Sequence, residues 1–351
     1  MSLRPLALGF VISLVFDLSA CAGPPAPKPA LPPPPPAPAA TALPSAPPPP
    51  SAPPATRLDD ATRATLAEHL DQLATLGTGA SLAASIDGQI VSLVTGTQLA
   101  DGPAVRSTTR FNVASVSKLL TAAKVVHLAH QKELALTDPV ATRLSGVRFL
   151  DAGGHDLAAT ITLDQLLMHR GGLPHFDPAF DPASFGSSWQ DPELLTKMGR
   201  GWTLTLKAAP GTYGYSNLSY ATLAAVIEAT EDCSFADCMA AFLSETLDLK
   251  SATMWPANLD GDAAHGRTVK DGETTFLPPA WYGSRLAIPY SGLWISMPDL
   301  AKFGARLVTA QRDPQSALHA MTTGVPNGEK GHGRGLGHTP RGAVATLGPA
   351  G

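Results

Sequence analysis

The sequence predicts an α+β domain, in which an antiparallel sheet is flanked by helices and a further region is entirely helical. Two apolar runs surround Asp87-Gly88 between Ser81 and Gly96. Asp-Gly between such runs is the strongest short-range signal for a β-hairpin. In several later segments, apolar residues recur at helical spacing. An early hairpin followed by clustered helices indicates an α+β domain, whose hairpin must join a sheet.

The predicted helices follow from apolar spacing and from residues that suit helix ends. Thr162 followed by Gln165 resembles a capping box, and Gly171-Gly172 is expected to end that helix. Pro298 and Asp299 suit the first turn of the last helix. The helical segments cover residues 61–76, 115 to about 134, 162–171, 218–231 and a segment that starts at residue 296.

Residues 1–20 are expected to be a lipoprotein signal peptide that is not part of the fold. Leu6 to Phe16 is an apolar run that is too short to span a bilayer as a stable helix. The small residues before Cys21 resemble the lipobox of bacterial lipoproteins. Cys21 is therefore the predicted lipidation site, which would anchor the protein to a bacterial membrane in the cell envelope, with its domain facing the periplasm or the exterior. A plain secretory cleavage site is the alternative.

Residues 21–56 carry the lipidated cysteine and a proline-rich linker. Between Pro24 and Pro54 lie 17 of the 34 prolines of the chain, interleaved mostly with alanine. Such a segment favours extended polyproline II and spans roughly 100 Å at about 3.1 Å per residue. We interpret it as a semi-rigid stalk. A ligand for a proline-binding partner domain is the alternative, although the tract carries almost no charge except Lys28.

Residues 57–351 are long enough for one large domain with a substantial core. The formal net charge of −4 and the absence of a basic stripe argue against a nucleic-acid partner. Apart from Cys21, the cysteines are Cys233 and Cys238. In an exported domain they could form a short-range disulfide. Two unpaired core cysteines are equally compatible with the sequence.

Two short motifs carry candidate chemistry. Ser115 and Lys118 lie one helical turn apart, so both side chains can point into one cleft. A lysine can activate a serine nucleophile when burial lowers the lysine pKa. Tyr215 and Asn217 lie two residues apart just before a predicted helix, where a phenol can relay protons and an amide can orient a substrate. Alone, each motif is also compatible with a surface charge or a packing residue.

Taken together, five stretches resemble the penicillin-recognising serine hydrolases, in the branch that contains class C β-lactamases, D-alanyl-D-alanine carboxypeptidases and related esterases. The stretches occur in the family's order, and the resemblance runs from about Ser81 to the C-terminus, which is nearly the whole folded part. They read TTRFNVASVSKLLTA, KELALTDPV, LLMHRGGLPHF, GYSNLSYATLAAVIE and YSGLWISMPDLAKF. In the third stretch, Gly171 replaces the usual serine of the family signature.

The resemblance implies the β-lactamase/transpeptidase-like fold and acyl-enzyme chemistry. Ser115 would be the nucleophile, Lys118 its proton acceptor and Tyr215 the acid/base towards the leaving group. Asn217 would hydrogen-bond Lys118 and the substrate, and the Ser115 backbone N–H would be one oxyanion donor. The implied substrate is a β-lactam, a D-alanyl peptide or an ester, and no metal or cofactor is expected.

A third family element, a KTG or HxG triad near the C-terminus, has no clean copy. Gly335-Leu336-Gly337 resembles the strand that precedes the triad. His338-Thr339 has the right letters for the triad, but Pro340 stands where glycine is expected and the spacing is too short. Pro349-Ala350-Gly351 has better spacing but the wrong residues. The family's C-terminal strands are thus apparently missing, so the domain is expected to be incomplete at its C-terminus and the early hairpin to lack sheet partners. The alternative to an active hydrolase is therefore a truncated, catalytically inactive relative that at most binds cell-wall peptides.

Overall fold

A computed structural model describes residues 58–75, 77–86, 88–175, 200–254, 259, 261–270, 273–277, 286–323 and 331–338. The predicted signal peptide, the lipidation site Cys21 and the proline-rich linker lie outside these residues. Within them, no helix combines the length and the apolar character needed to cross a bilayer.

Half of the eight described helices are longer than thirteen residues. The helices are α1 (Asp60–Ala74), α2 (Ser117–His130), α3 (Leu163–Leu167), α4 (Asn217–Glu231), α5 (Phe235–Ala241), α6 (Ile288–Ser291), α7 (Met297–Arg312) and α8 (His319–Thr322). A 3₁₀ turn, Ala114–Val116, precedes α2, and a π-helical turn, Phe242–Thr246, follows α5.

The described strands form two-stranded sheets, four antiparallel and one parallel. The antiparallel pairs are β1 (Gly79–Ile86) with β2 (Gln89–Gly96), β3 (Phe111–Asn112) with β8 (Trp294–Ile295), β6 (Gly266–Lys270) with β7 (Glu273–Leu277), and β9 (Gly331–His332) with β10 (Gly337–His338). The parallel pair is β4 (Arg148–Leu150) with β5 (Thr203–Thr205). The α+β class is confirmed, although the parallel pair was not predicted.

The predicted hairpin is confirmed as β1 and β2, in register from Gly79 opposite Gly96 to Ile86 opposite Gln89. Gly88 has φ +77°, a conformation that a tight hairpin turn requires and that glycine adopts without strain. Helices α1 and α7 pack against the hairpin. The inward residues of β1 are therefore buried. Among the described strands, the hairpin pairs with no third strand.

The core surrounds α2 and α4, which are buried on nearly all sides. Every residue from 117 to 126 of α2 is buried, and so is every residue from 217 to 228 of α4. Helices that are apolar all round belong inside a domain, where other elements cover every face. Helices α3, α5 and α6 pack against α4, and α6 also packs against α2. The two buried helices thus form the frame on which the site is built.

Several predicted helix ends are confirmed by their caps. Thr162 and Gln165 form the predicted capping box at α3, and Ser296 caps α7 by accepting a hydrogen bond from the Asp299 N–H. Helix α3 ends at Leu167, earlier than predicted, because His169 adopts a left-handed conformation with φ +56°. The two cysteines, left open by the sequence, form a disulfide between Cys233 and Cys238.

Candidate active site

Ser115 lies on the short 3₁₀ turn that runs directly into α2, rather than within the helix itself. Strand β3 leads into this turn and pairs with β8, and next to the pair the Val113 N–H donates to the Leu293 carbonyl at 3.0 Å. The Ser115 side chain is exposed, whereas the residues that follow it are buried. Its hydroxyl is therefore accessible at the edge of the core.

The turn is strained and is held by two polar side chains, those of buried Ser117 and half-buried Asn112. Ala114 has φ +43°, which costs roughly 1–2 kcal/mol for a residue with a Cβ. The Ser117 hydroxyl donates to the Ala114 carbonyl at 2.6 Å and accepts from the Leu293 N–H at 2.9 Å. The Asn112 side chain accepts from the Ala114 N–H at 3.1 Å. Asn112 and Ser117 were not predicted from the sequence. The signal that could have found them is that polar side chains among apolar neighbours need hydrogen-bond partners.

Lys118 is buried beside Ser115. Its side chain is 4% exposed, and its Nζ donates to the Ser115 Oγ at 3.1 Å and to the Tyr290 carbonyl at 3.1 Å. Burial lowers the pKa of Lys118 from 10.5 to about 7, because the charged form loses its hydration. Near neutral pH, a substantial fraction of Lys118 is therefore the free amine, which can accept a proton from the serine.

Three tyrosine rings surround the Lys118 Nζ. The distances from Nζ to the ring centroids are 4.9 Å for Tyr215, 5.3 Å for Tyr290 and 5.9 Å for Tyr220. The Tyr220 ring is fully buried and its hydroxyl donates to the Leu167 carbonyl at 3.0 Å, which fixes its position. Because ring faces attract an ammonium group, these tyrosines partly offset the effect of burial on Lys118.

Tyr215 contacts Ser115 from the other side. Its hydroxyl donates to the Ser115 Oγ at 3.0 Å. Burial raises the pKa of Tyr215, an effect that the hydrogen bond to Ser115 partly opposes. Tyr215 is therefore a neutral phenol at physiological pH and can donate a proton. The predicted Ser115, Lys118 and Tyr215 are thus brought together around one oxygen atom.

His169 packs against the ring of Tyr215. It was not predicted as a site residue from the sequence. Its Nδ1 accepts from the Ser216 N–H at 3.1 Å, which leaves the proton of the neutral ring on Nε2. Its ring lies 4.4 Å from that of Tyr215. Burial, followed by the charges of His332 and Lys118, holds the pKa of His169 well below its usual value, so the ring is neutral. The signal in the sequence is a histidine that directly follows the apolar residues Leu166–Met168.

Asn217 is the first residue of α4, two residues after Tyr215, and it is buried. The predicted hydrogen bond between its side chain and Lys118 is not formed among the described residues. Instead, Lys118 donates to the Tyr290 carbonyl, and the Asn217 Oδ1 has no hydrogen-bond partner in the described part of the chain. The side chain therefore keeps an acceptor available in the free protein.

The segment that resembles the strand before the third family motif forms part of the β9–β10 hairpin, which packs on α2. Gly335 has φ +81°, and a Cβ at this position would lie 2.6 Å from the Ala122 Cβ, so the hairpin approaches the helix closely. Arg334 anchors the hairpin through an ion pair with Asp164. Of the residues weighed as the third motif, His338 ends β10, and those from Thr339 onward lie outside the described residues.

One group of potential metal ligands occurs in the described segments, away from Ser115. Glu231, Cys233 and Cys238 place ligand atoms within 4.8 Å of one another. However, the two sulfur atoms are joined in the disulfide, and Glu231 pairs with the Lys124 Nζ at 2.6 Å. This group is therefore a structural link between α2 and the end of α4.

Comparisons with known proteins identify a family for the chain. The family model described as "Beta-lactamase" matches residues 66–349. Penicillin-binding protein 4 of Amycolatopsis lactamdurans is 36% identical over 96 residues, which cover 27% of this chain and 24% of that protein. The chain thus spans about a quarter of the length of this curated relative.

Solved structures resemble the fold over most of the chain. The octameric penicillin-binding protein homologue from Pyrococcus abyssi aligns with a TM-score of 0.63 and 23% identity, covering 79% of this chain and 64% of that one. The D-stereospecific amidohydrolase from Streptomyces sp. aligns with a TM-score of 0.61 and 23% identity, covering 79% of this chain and 83% of that one. At this identity, the structures show the shared fold alone.

The family model covers more than three quarters of the chain and includes every residue of the cluster around Ser115. The β-lactamase/transpeptidase-like fold follows from this match and from the structural neighbours. The chain belongs to the beta-lactamase family, the penicillin-recognising serine hydrolases.

Proposed function

We propose that the protein is a serine hydrolase that acts through an acyl-enzyme on Ser115. The observation that carries the proposal is that the Ser115 Oγ lies 3.1 Å from the Lys118 Nζ and 3.0 Å from the Tyr215 hydroxyl. Both are hydrogen-bond distances, which proton transfer requires. The exposed hydroxyl leaves room for an acyl group to approach.

In this mechanism, neutral Lys118 takes the proton of Ser115 as the Oγ attacks the substrate carbonyl carbon. Tyr215 then delivers a proton to the leaving atom as its bond to that carbon breaks. The Lys118 ammonium returns its proton to Tyr215, which restores the phenol and the free amine. In the second half of the cycle, water attacks the acyl carbon and gives a proton to Lys118, and the Ser115 Oγ takes that proton as its bond to the acyl group breaks and the acid is released. The Ser115 N–H is proposed as one oxyanion donor, and a missing donor of this type typically costs about 10²–10³ in rate.

For Asn217, we propose a role in substrate binding. Its Oδ1 is buried and unpartnered among the described residues, so it can accept a hydrogen bond from a substrate N–H or from Lys118 after the proton has moved. An unpartnered buried acceptor is unfavourable in the free protein, and a ligand donor would relieve that cost.

The proposed substrate is a small acyl compound or peptide: a β-lactam, a D-alanyl peptide or an ester. The names of the related proteins, a penicillin-binding protein and a D-stereospecific amidohydrolase, support this range. We favour an ester, because the third family element, which helps to bind a substrate carboxylate in the family, has no clean copy in the sequence.

The proposal is tested by turnover of short-chain esters and by covalent labelling with benzylpenicillin. Wild-type protein should gain the mass of a reagent or hydrolyse an ester, and Ser115→Ala should do neither. Ser244→Ala is the matched control, because the Ser244 hydroxyl donates only within its own helix, to the Ala240 carbonyl. A folded wild-type protein that reacts with none of these compounds but binds cell-wall peptides would instead be the inactive relative.

We also propose that Cys21 anchors the protein to the bacterial cell envelope. The support is the sequence alone, an apolar leader followed by small residues and a cysteine. Radiolabelled palmitate should be incorporated into the full chain and not into Cys21→Ser. Equal labelling of both proteins, or of neither, would contradict the anchor.

A further inference from the structure

Tyr213 is an exposed aromatic residue at the mouth of the site. Its side chain is 45% exposed, and the other large apolar side chains with comparable exposure, Ile90 and Val94, lie on strand β2. A lone exposed apolar residue needs no explanation, but an ordered aromatic pair beside a candidate nucleophile suggests a binding surface.

Tyr213 is stacked on His332, which comes from a distant part of the chain. The ring centroids are 5.5 Å apart and the planes differ by 11°. His332 in turn lies 6.1 Å from the ring of Tyr215, whose hydroxyl contacts Ser115. The stacked pair is therefore next to the phenol that is proposed to protonate the leaving group.

Both rings are held in place by ordered neighbours. The ring of buried His169 packs edge-on against both of them. Its centroid lies 6.4 Å from that of Tyr213 and 5.4 Å from that of His332. Tyr213 and Tyr215 both contact His169, so their rings lie on the same side of the loop that precedes α4. The hairpin that carries His332 is anchored by Arg334. Such a preformed surface loses little conformational entropy when a ligand binds.

The surroundings of the pair favour an uncharged ligand. Burial and the charge of Lys118 lower the pKa of both His169 and His175, so these imidazoles are neutral near pH 7. The centroid of the His175 ring lies 5.4 Å from that of Tyr215, so His175 belongs to the same group of rings. A carboxylate packed among these rings would lose its hydration, whereas an uncharged ring would not.

We propose that Tyr213 and His332 form a leaving-group subsite that binds a planar, uncharged group, such as an aryl ring. This inference rests on the proposed function, because the subsite is assigned to the leaving group from its position next to Tyr215, the proposed proton donor. Offset or edge-to-face packing of a ligand ring on this pair would favour aryl over alkyl leaving groups by about five- to tenfold.

The test compares benzyl acetate with n-butyl acetate, which transfer the same acetyl group and release uncharged alcohols of similar acidity. Tyr213→Ala should lower kcat/KM for benzyl acetate about five- to tenfold and change that for n-butyl acetate less than twofold. Tyr213→Phe should retain the wild-type ratio, and His332→Ala should reduce it. Val94→Ala, on exposed strand β2, should leave both values unchanged. Equal losses for both esters in Tyr213→Ala would overturn the proposal.

A binding measurement separates this subsite from the proposed catalysis. Saturation-transfer NMR detects benzyl alcohol on Ser115→Ala protein without any turnover. The signal should fall when Tyr213→Ala is added to this variant and persist when Tyr213→Phe is added. If the wild type neither hydrolyses an ester nor is acylated by benzylpenicillin but this pattern is found, the subsite stands and the proposed function fails. An unchanged signal in the Tyr213→Ala double variant would overturn the subsite.

Discussion

The Lys118 Nζ lies 3.1 Å from the Ser115 Oγ and is surrounded by the rings of three tyrosines. Burial disfavours the ammonium form of this lysine, whereas the ring faces and the Tyr290 carbonyl favour it. The balance brings the lysine pKa close to neutral pH. A base with a pKa near the working pH combines a large unprotonated fraction with useful proton affinity.

The first prediction concerns the pH dependence of acylation. The pKa of Lys118 is about 7, so the lysine is protonated and inactive below pH 7 and becomes competent above it. The value of kcat/KM for an acetate ester should therefore rise with pH and level off above a midpoint near 7. The pKa of His169 is held well below 6.5, so this residue does not titrate in that range. A rate that is flat from pH 6 to 8.5 would contradict the role of Lys118.

The second prediction concerns the ring of Tyr290. Tyr290→Leu removes a ring face 5.3 Å from the Lys118 Nζ but keeps the backbone carbonyl that accepts from it. Because the ring stabilises the ammonium, its loss should move the acid limb of the pH profile lower by roughly half a pH unit. Tyr290→Phe keeps the ring and should keep the wild-type midpoint. A midpoint that moves equally in both variants would show that the ring face is not responsible.

The third prediction concerns the stability cost of the buried lysine. The pKa of Lys118 is about 7 in the folded protein and 10.5 when exposed, so between these values the unfolded state binds the proton and the folded state does not. Stability therefore rises with pH in this window, by about 2–3 kcal/mol between pH 7.5 and 9.5. Urea unfolding should show this rise in wild type and lose it in Lys118→Met. A rise that remains in Lys118→Met would assign it to other groups.

The fourth prediction concerns the Tyr215 hydroxyl. Tyr215→Phe keeps the ring that contacts Lys118 and His169 but removes the donor 3.0 Å from the Ser115 Oγ. Acylation should slow by about 10²–10⁴, the usual contribution of general acid–base catalysis. The unfolding midpoint should change little, because the packing is retained. Full activity in Tyr215→Phe would reassign the proton donor.

Much of the fold could be predicted because the signals were local. The hairpin at Gly88, the capping box at Thr162 and Gln165, and the helix that follows Ser216 each depend on residues close in sequence. The position of the Ser115 turn was only approximate, since the left-handed Ala114 is stabilised by contacts with the distant Leu293 segment.

The environment of Lys118 could not be predicted from local patterns. Tyr290 is 172 positions further along the chain and contributes both a carbonyl and a ring. Because of this tertiary contact, Lys118 donates to the Tyr290 carbonyl instead of forming the expected hydrogen bond with Asn217. Likewise, the spacing of Cys233 and Cys238 did not distinguish a disulfide from two thiols, because the turn after α4 brings the sulfur atoms together.

The most direct test of the account is the intact mass of the domain after mixing with benzylpenicillin and with phenyl acetate at pH 8, for wild type, Ser115→Ala and Lys118→Met. Wild type should gain one acyl group on Ser115 with at least one reagent, Ser115→Ala should gain none, and Lys118→Met should react far more slowly. A folded wild-type protein without any mass gain, or an equal gain in Ser115→Ala, would contradict the assignment of Ser115 as the nucleophile.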